Sequence, residues 1–320
     1  QPMYFSSGKG CWLKSEEGDD YLDAISGIAV TNLGHANDAL NAALVAQTHK
    51  LWHVSNTVHI KEQQLLGEKL CQLANMDKAF FCNSGAEANE TALKLARLHG
   101  HKKGINNPLV IVMSGAFHGR TLAMLSATDS PNARNGFGPL VEGFLELPFN
   151  DINALNNLGE RKKDVVAILI EPIQGESGVK IASPNYLKAL SNMCSDNDWL
   201  LMLDEIQSGI GRTGKWFSYQ HYNIKPDIIT VAKALGNGFP IGACLASGKA
   251  ATLFTPGSHG STFGGNPLAC NVALEVLNTI EKDNILSNAK SQGHNLLNQL
   301  KSALKNIPQI REIRGIGLLV

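Results

Sequence analysis

The sequence has no excess charge of either sign: 28 Lys and Arg balance 28 Asp and Glu over 320 residues. It also has no basic run, which leaves no electrostatic footprint for nucleic acid or an anionic membrane. No apolar stretch is long enough to cross a bilayer. The opening Gln1-Pro-Met-Tyr-Phe5 has no basic stretch followed by an apolar block, so no signal peptide is expected. The chain begins without an initiating Met, from which a trimmed start is expected. The six cysteines, Cys11, Cys71, Cys82, Cys194, Cys244 and Cys270, include no Cys-x-x-Cys. Their scatter argues against a disulfide framework and against zinc. Free, buried thiols in a reducing cytoplasm and no metal are the expectation. Internal repeats and low-complexity tracts are also lacking.

What is present is an alternation of strand and helix signals, which predicts an α/β fold with a mainly parallel sheet. Short apolar runs at Lys78–Cys82, Leu109–Met113, Val165–Ile170, Trp199–Leu203, Ile228–Val231 and Gly242–Ala246 read as buried strands. Helices are expected over Ala86–His99, stopped by Gly100, over Tyr186–Cys194, from Pro267 onward, and over Leu286–Leu304. The last ten residues, Arg311–Val320, read as a strand.

Two of these runs end in chemistry. Asp204 and Glu205 close one strand, and Lys233 follows another. Side chains at the carboxyl ends of parallel strands point into the crevice where open α/β sheets hold ligands. A lysine and a carboxylate there suit pyridoxal phosphate: the amine forms a Schiff base and the acid keeps the pyridine nitrogen protonated. Asp204 and Glu205 are adjacent on a strand, so only one can face the ring. The apolar run before Lys233 buries its stem, and burial favours the neutral amine.

Asn83-Ser-Gly-Ala-Glu-Ala-Asn89 joins a strand to a helix. Ser84 is a good N-cap and Glu87 completes a capping box. Gly85 admits a close ligand, so the helix start becomes an anion cup or, more plainly, an ordinary capped end. In Phe117-His-Gly-Arg120, Phe117 offers a face for stacking and Arg120 a fork for a carboxylate. Ser261-Thr-Phe-Gly-Gly-Asn-Pro267 brings hydroxyls ahead of a helix. Gly209-Ile-Gly-Arg-Thr-Gly214 matches the dinucleotide fingerprint. Asp204 and Glu205 beside it would repel a pyrophosphate, and the aromatic stretch after Gly214 does not suit a closely packed helix. A nucleotide-binding oxidoreductase is therefore the rival reading, not the leading one.

Taken together, these segments resemble the class III, fold-type I pyridoxal-phosphate-dependent aminotransferases. The resemblance rests on Ser26–Val30, Phe81–Glu90, Phe117–Thr121, Glu171–Gly178, Leu203–Gly214, Ala232–Cys244 and Gly260–Cys270, in the family's order. It implies that Lys233 carries the cofactor, Asp204 pairs with its ring nitrogen, and Gln207 lies near its phenolic oxygen. Ser84, Gly85 and Ala86 would hold the phosphate, Phe117 would stack, and Thr262 would reach the phosphate of a neighbouring subunit. Arg120, Ser261 and Glu176 would serve the substrate, Glu176 resembling an acid that pairs with a C-terminal arginine in relatives. A cytoplasmic homodimer with shared active sites follows, acting on amino acids and 2-oxo acids.

The implied reaction moves the δ-amino group of N-acetylornithine to 2-oxoglutarate, in arginine biosynthesis. Succinylornithine, ornithine and 4-aminobutyrate are the alternatives. Relatives acting on free ornithine tend to carry a tyrosine where this chain has Ile28, which favours an acylated amine. The resemblance also implies three parts: residues 1–33 as part of a small domain, 34–265 as the large cofactor-binding domain, and 266–320 as the start of a truncated C-terminal small domain. A folded but non-catalytic remnant is the further alternative.

Overall fold

The computed structural model describes residues 3–320. Near the N-terminus, β1 (Phe5–Lys9), β2 (Trp12–Ser15) and β3 (Asp20–Leu22) form a small antiparallel sheet. The central sheet is built from β4 (Lys78–Cys82), β5 (Leu109–Met113), β6 (Phe144–Leu147), β7 (Val165–Ile170), β10 (Leu200–Asp204), β11 (Ile228–Val231) and β12 (Gly242–Ala246). Between β7 and β10 lies a two-stranded ribbon of β8 (Ile173–Gln174) and β9 (Lys180–Ile181). The central strand order is β4-β12-β11-β10-β7-β5-β6. All central pairings are parallel except those of β12, which runs antiparallel to both neighbours.

These strands form because their runs are apolar on both faces. Successive residues alternate between two cores: Ile111, Met113, Leu201 and Leu203 join one, and Val110, Val112, Leu200 and Met202 the other. Every residue of β7 and β10 is buried. Each large apolar side chain so placed contributes about 1.5–3 kcal/mol. The helix Gly85–Lys102 covers one face through Ala92, Leu93 and Ala96. The helix Lys61–Ala74 covers the other through Leu66 and Leu70.

Two sequence expectations are corrected. Gly100 does not stop its helix, which continues to Lys102. A Cβ at Gly100 would lie 2.7 Å from both Pro108 Cβ and Val166 Cγ1, so this glycine lets the helix lie close to β7. The segment Arg311–Val320 is not a strand; it holds one isolated bridge, Ile316 to Leu319, and folds back on itself. The helix Pro267–Lys282 buries Ala269, Cys270, Ala273, Val276 and Leu277 in the same core as Leu66 and Leu70. β6 and the N-terminal sheet were missed altogether by sequence reading.

Candidate active site

A cleft of about 390 Å³ opens where the parallel strands end, within the usual 300–1,000 Å³ of small-molecule sites. Five strands feed it. β4 delivers Ser84, Gly85 and Ala86, β5 the loop with Phe117 and Arg120, β7 Glu171, β10 Asp204 and Gln207, and β11 Lys233. The cleft thus gathers nine residues singled out from sequence, Glu176 being the ninth. It leaves out three. Ile28 is 54% exposed, although Val30 of the same segment lines the cleft. Ser261 lines a neighbouring cavity and caps its own turn by accepting the Gly264 N–H at 3.0 Å. Thr262 is exposed and lines neither of these cavities.

Asp204 and Glu205 point to opposite faces. Glu205 is fully enclosed by donors, the hydroxyls of Ser208 (2.7 Å) and Ser218 (2.8 Å) and the N–H groups of Ser218 (2.9 Å) and Tyr219 (2.8 Å). It anchors the chain beyond β10. Asp204, 4% exposed, faces the cleft. Burial lowers the Lys233 pKa, and the charges of Asp204, Glu176 and Glu171 only partly oppose that shift. The amine is thereby biased toward its neutral, nucleophilic form. Lys233 holds a left-handed backbone, φ 48°, an uncommon conformation for a residue with a side chain.

At the helix start, Ser84 is extended (φ −152°, ψ 165°) and its Oγ accepts the Glu87 N–H at 3.2 Å. The capping box is only half formed. The Glu87 carboxylate reaches past Ser84 to accept the N–H of Asn83 at 2.6 Å and its side-chain N–H at 3.0 Å. The N–H groups of Gly85 and Ala86 keep no acceptor among the described residues. A Cβ at Gly85 would lie 2.8 Å from Ile206 Cδ1. These free donors at the positive end of a helix make an anion cup. Phe117 lines the cleft, its N–H donating to Glu171 at 2.8 Å, and the Arg120 guanidinium stands 5.5 Å from its ring centre. Gln207 donates to Glu176 at 3.2 Å.

Sequence reading missed Glu171, Asn89 and His118. Glu171 is 6% exposed, and burial, with the Asp204 charge adding to it, raises its pKa well above the ordinary 4.5. Its signal was the same as that of Asp204: an acid closing the apolar run Val165–Ile170. Asn89 and His118 both bond Asp204.

The dinucleotide reading of Gly209–Gly214 does not survive. No α-helix follows it, only a short 3₁₀ turn at Ser218–His221. Gly214 instead makes room for the helix Ile285–Leu304, since a Cβ there would sit 2.8 Å from Lys290 Cβ. Asn32 fastens this loop to the N-terminal segment, donating to Ile210 O at 3.0 Å and accepting from Arg212.

The donor set fits pyridoxal phosphate: a cup for its phosphate, a buried acid for its ring nitrogen, and a lysine biased toward neutrality in the same cleft. Among the described residues no group of three metal-ligating side chains forms, and no helix is long and apolar enough to cross a membrane. A family model described as Aminotransferase class-III matches residues 1–320. The acetylornithine aminotransferase of Nitrosomonas europaea is 50% identical over 319 residues, covering 100% of this chain and 81% of that protein. The protein of the same name from Prochlorococcus marinus strain SARG is 47% identical over 325 residues, covering 100% and 77%. Among solved structures, Toxoplasma gondii ornithine aminotransferase superposes with a TM-score of 0.95 at 34% identity, covering 99% of this chain and 76% of that one. Stenotrophomonas maltophilia N-acetylornithine aminotransferase gives 0.85 at 36% identity, covering 99% and 79%.

Proposed function

Because the chain belongs to the class-III aminotransferases, we propose that it moves the δ-amino group of N-acetylornithine to 2-oxoglutarate, using pyridoxal phosphate. The observation that carries this reading is the meeting of Asp204, Lys233 and the Gly85 cup in one cleft. When bound, the cofactor supplies a conjugated ring that accepts the electron pair released at the substrate carbon. The N–H groups of Gly85 and Ala86, with Ser84, hold its phosphate. Phe117 would cover the ring, and the Asp204 carboxylate would accept a hydrogen bond from the ring N–H and so keep that nitrogen protonated. Gln207 would lie near the cofactor's phenolic oxygen. Lys233 Nζ would be the amine that holds the cofactor's aldehyde carbon, and as a free amine it would move the proton at the substrate δ-carbon. Arg120 takes the α-carboxylate, with Ser261 nearby, and Glu176 supplies an acid at the cleft mouth.

The dimeric part of the proposal draws on an apolar surface next to Thr262. Trp52 and Phe263 are each 62% exposed, Val58 52% and Leu51 45%. Residues 51–58 and 261–264 are joined by Asn56, which donates to Ser261 O and Gly264 O, and by the His53–Phe263 ring contact. A second copy seated on this surface would bring Thr262 to its phosphate cup. We place the enzyme in the cytoplasm. Its cofactor-binding domain runs over residues 34–265, with residues 1–33 and 266–320 in a smaller domain.

The substrate assignment leans on the relatives' names. Fold likeness does not choose the substrate, since ornithine and acetylornithine enzymes share it. Assayed with 2-oxoglutarate, N-acetylornithine should give a higher kcat/KM than succinylornithine, ornithine or 4-aminobutyrate. A higher value for any of those three overturns the assignment.

A further inference from the structure

We propose that Asn89, Thr230 and His118 act as one positioning unit for Asp204, tying the anion cup to the acid that meets the cofactor's ring nitrogen. The inference rests on the pyridoxal-phosphate reading and assigns residues that reading does not use.

Three N–H donors converge on Asp204. Its Oδ2 accepts from Asn89 Nδ2 at 2.7 Å and from His118 Nδ1 at 2.8 Å, and its Oδ1 accepts the Ile206 N–H at 3.0 Å. A carboxylate has no proton to give, so Nδ1 is the donor of the His118 pair. The Asn89 amide is oriented from behind. Thr230 Oγ1 donates to its Oδ1 at 2.7 Å, which leaves Nδ2 facing Asp204 and the His118 carbonyl, the latter at 2.8 Å. Thr230 stands opposite Asp204 in the pairing of β10 with β11. His118 is held in turn by its own N–H, which donates to Thr128 Oγ1 at 2.9 Å. Asn89, Thr230 and His118 are 0%, 1% and 2% exposed. In a dry site a misplaced donor cannot be replaced by water, so orientation is enforced rather than merely favoured.

The unit spans the site. Asn89 lies four residues after Gly85, about one helical turn or 6 Å along the axis from the cup. Any tilt of that helix would therefore move Asp204 as well. His118 follows Phe117 directly, so the stacking ring and the acid share a support. His118 Nε2 is buried and has no partner among the described residues. The ring thus contributes only Nδ1 to Asp204, so replacing it removes one hydrogen bond from that carboxylate.

That last point supplies the test. His118→Phe, His118→Asn and Thr230→Val are prepared as apo proteins beside the wild type. Each is titrated with pyridoxal phosphate, and the ring nitrogen's protonation is read with ¹⁵N-labelled cofactor. His118→Phe should lose about 10- to 100-fold in cofactor affinity for one charged hydrogen bond removed, and lower the protonated fraction. His118→Asn, whose amide can take the place of Nδ1, should recover most of the affinity. Thr230→Val should lose about 3- to 10-fold, because Asn89 is then free to turn. His118→Phe with wild-type affinity and protonation overturns the proposal, as does His118→Asn no better than His118→Phe. Should the Phe variant not fold, Thr230→Val decides alone, and wild-type behaviour there overturns it. Wild-type protein that binds no cofactor overturns the function reading itself, whereas cofactor-binding wild type with unresponsive variants sinks only this inference.

Discussion

At the scale of single residues, Glu171 is the acid that burial perturbs most plainly, its pKa standing well above 4.5 with the Asp204 charge as a further cause. The sign of the linkage follows. Between 4.5 and the raised folded value, the unfolded chain has lost this proton while the folded chain keeps it. Stability of the apo protein therefore falls as pH rises through that window. Glu171→Gln keeps an acceptor for the Phe117 N–H and removes the titration. The melting temperature of this variant should gain on the wild type as pH is raised from 4.5. A gap independent of pH would mean that Glu171 titrates normally. Lys233 is perturbed the other way, by desolvation. Lys233→Ala should hold pyridoxal phosphate loosely and lose turnover, both measurable by absorbance and by amino-group transfer. Turnover at the wild-type level would remove Lys233 from the chemistry.

At the scale of elements, Gly100 sets how closely the helix Gly85–Lys102 approaches β7. Gly100→Ala gains about 1 kcal/mol of helix propensity. It also places a Cβ 2.7 Å from Val166 Cγ1 and Pro108 Cβ, and overpacking of this kind costs about 1–3 kcal/mol. Net destabilisation in urea unfolding is expected, and a stabilised variant would refute the close-packing account. The sequence showed this helix but misplaced its end, because a glycine that serves packing looks the same as one that stops a helix. Strands buried on both faces were legible as apolar runs, and the acid and lysine at their ends were legible with them. β6 was not, since Phe144-Leu-Glu-Leu147 is a short edge strand with one polar position. Asn89 and His118 stayed hidden because their worth lies in long-range contacts with Asp204, 115 and 86 residues away.

At the scale of the whole molecule, the proposed dimer seats its second copy on the exposed apolar surface around Trp52 and Phe263. Trp52→Glu should convert a dimer, seen by light scattering as twice the chain mass, into a monomer with reduced turnover. A wild-type monomer with full activity would contradict shared active sites. The central claim, that the ends of β4, β10 and β11 form one pyridoxal-phosphate site built around Lys233, has a direct test. Protein loaded with pyridoxal phosphate is reduced with borohydride, digested, and its labelled peptides identified by mass spectrometry. The account predicts the label on Lys233 alone. A label on any other lysine, or none, would contradict it.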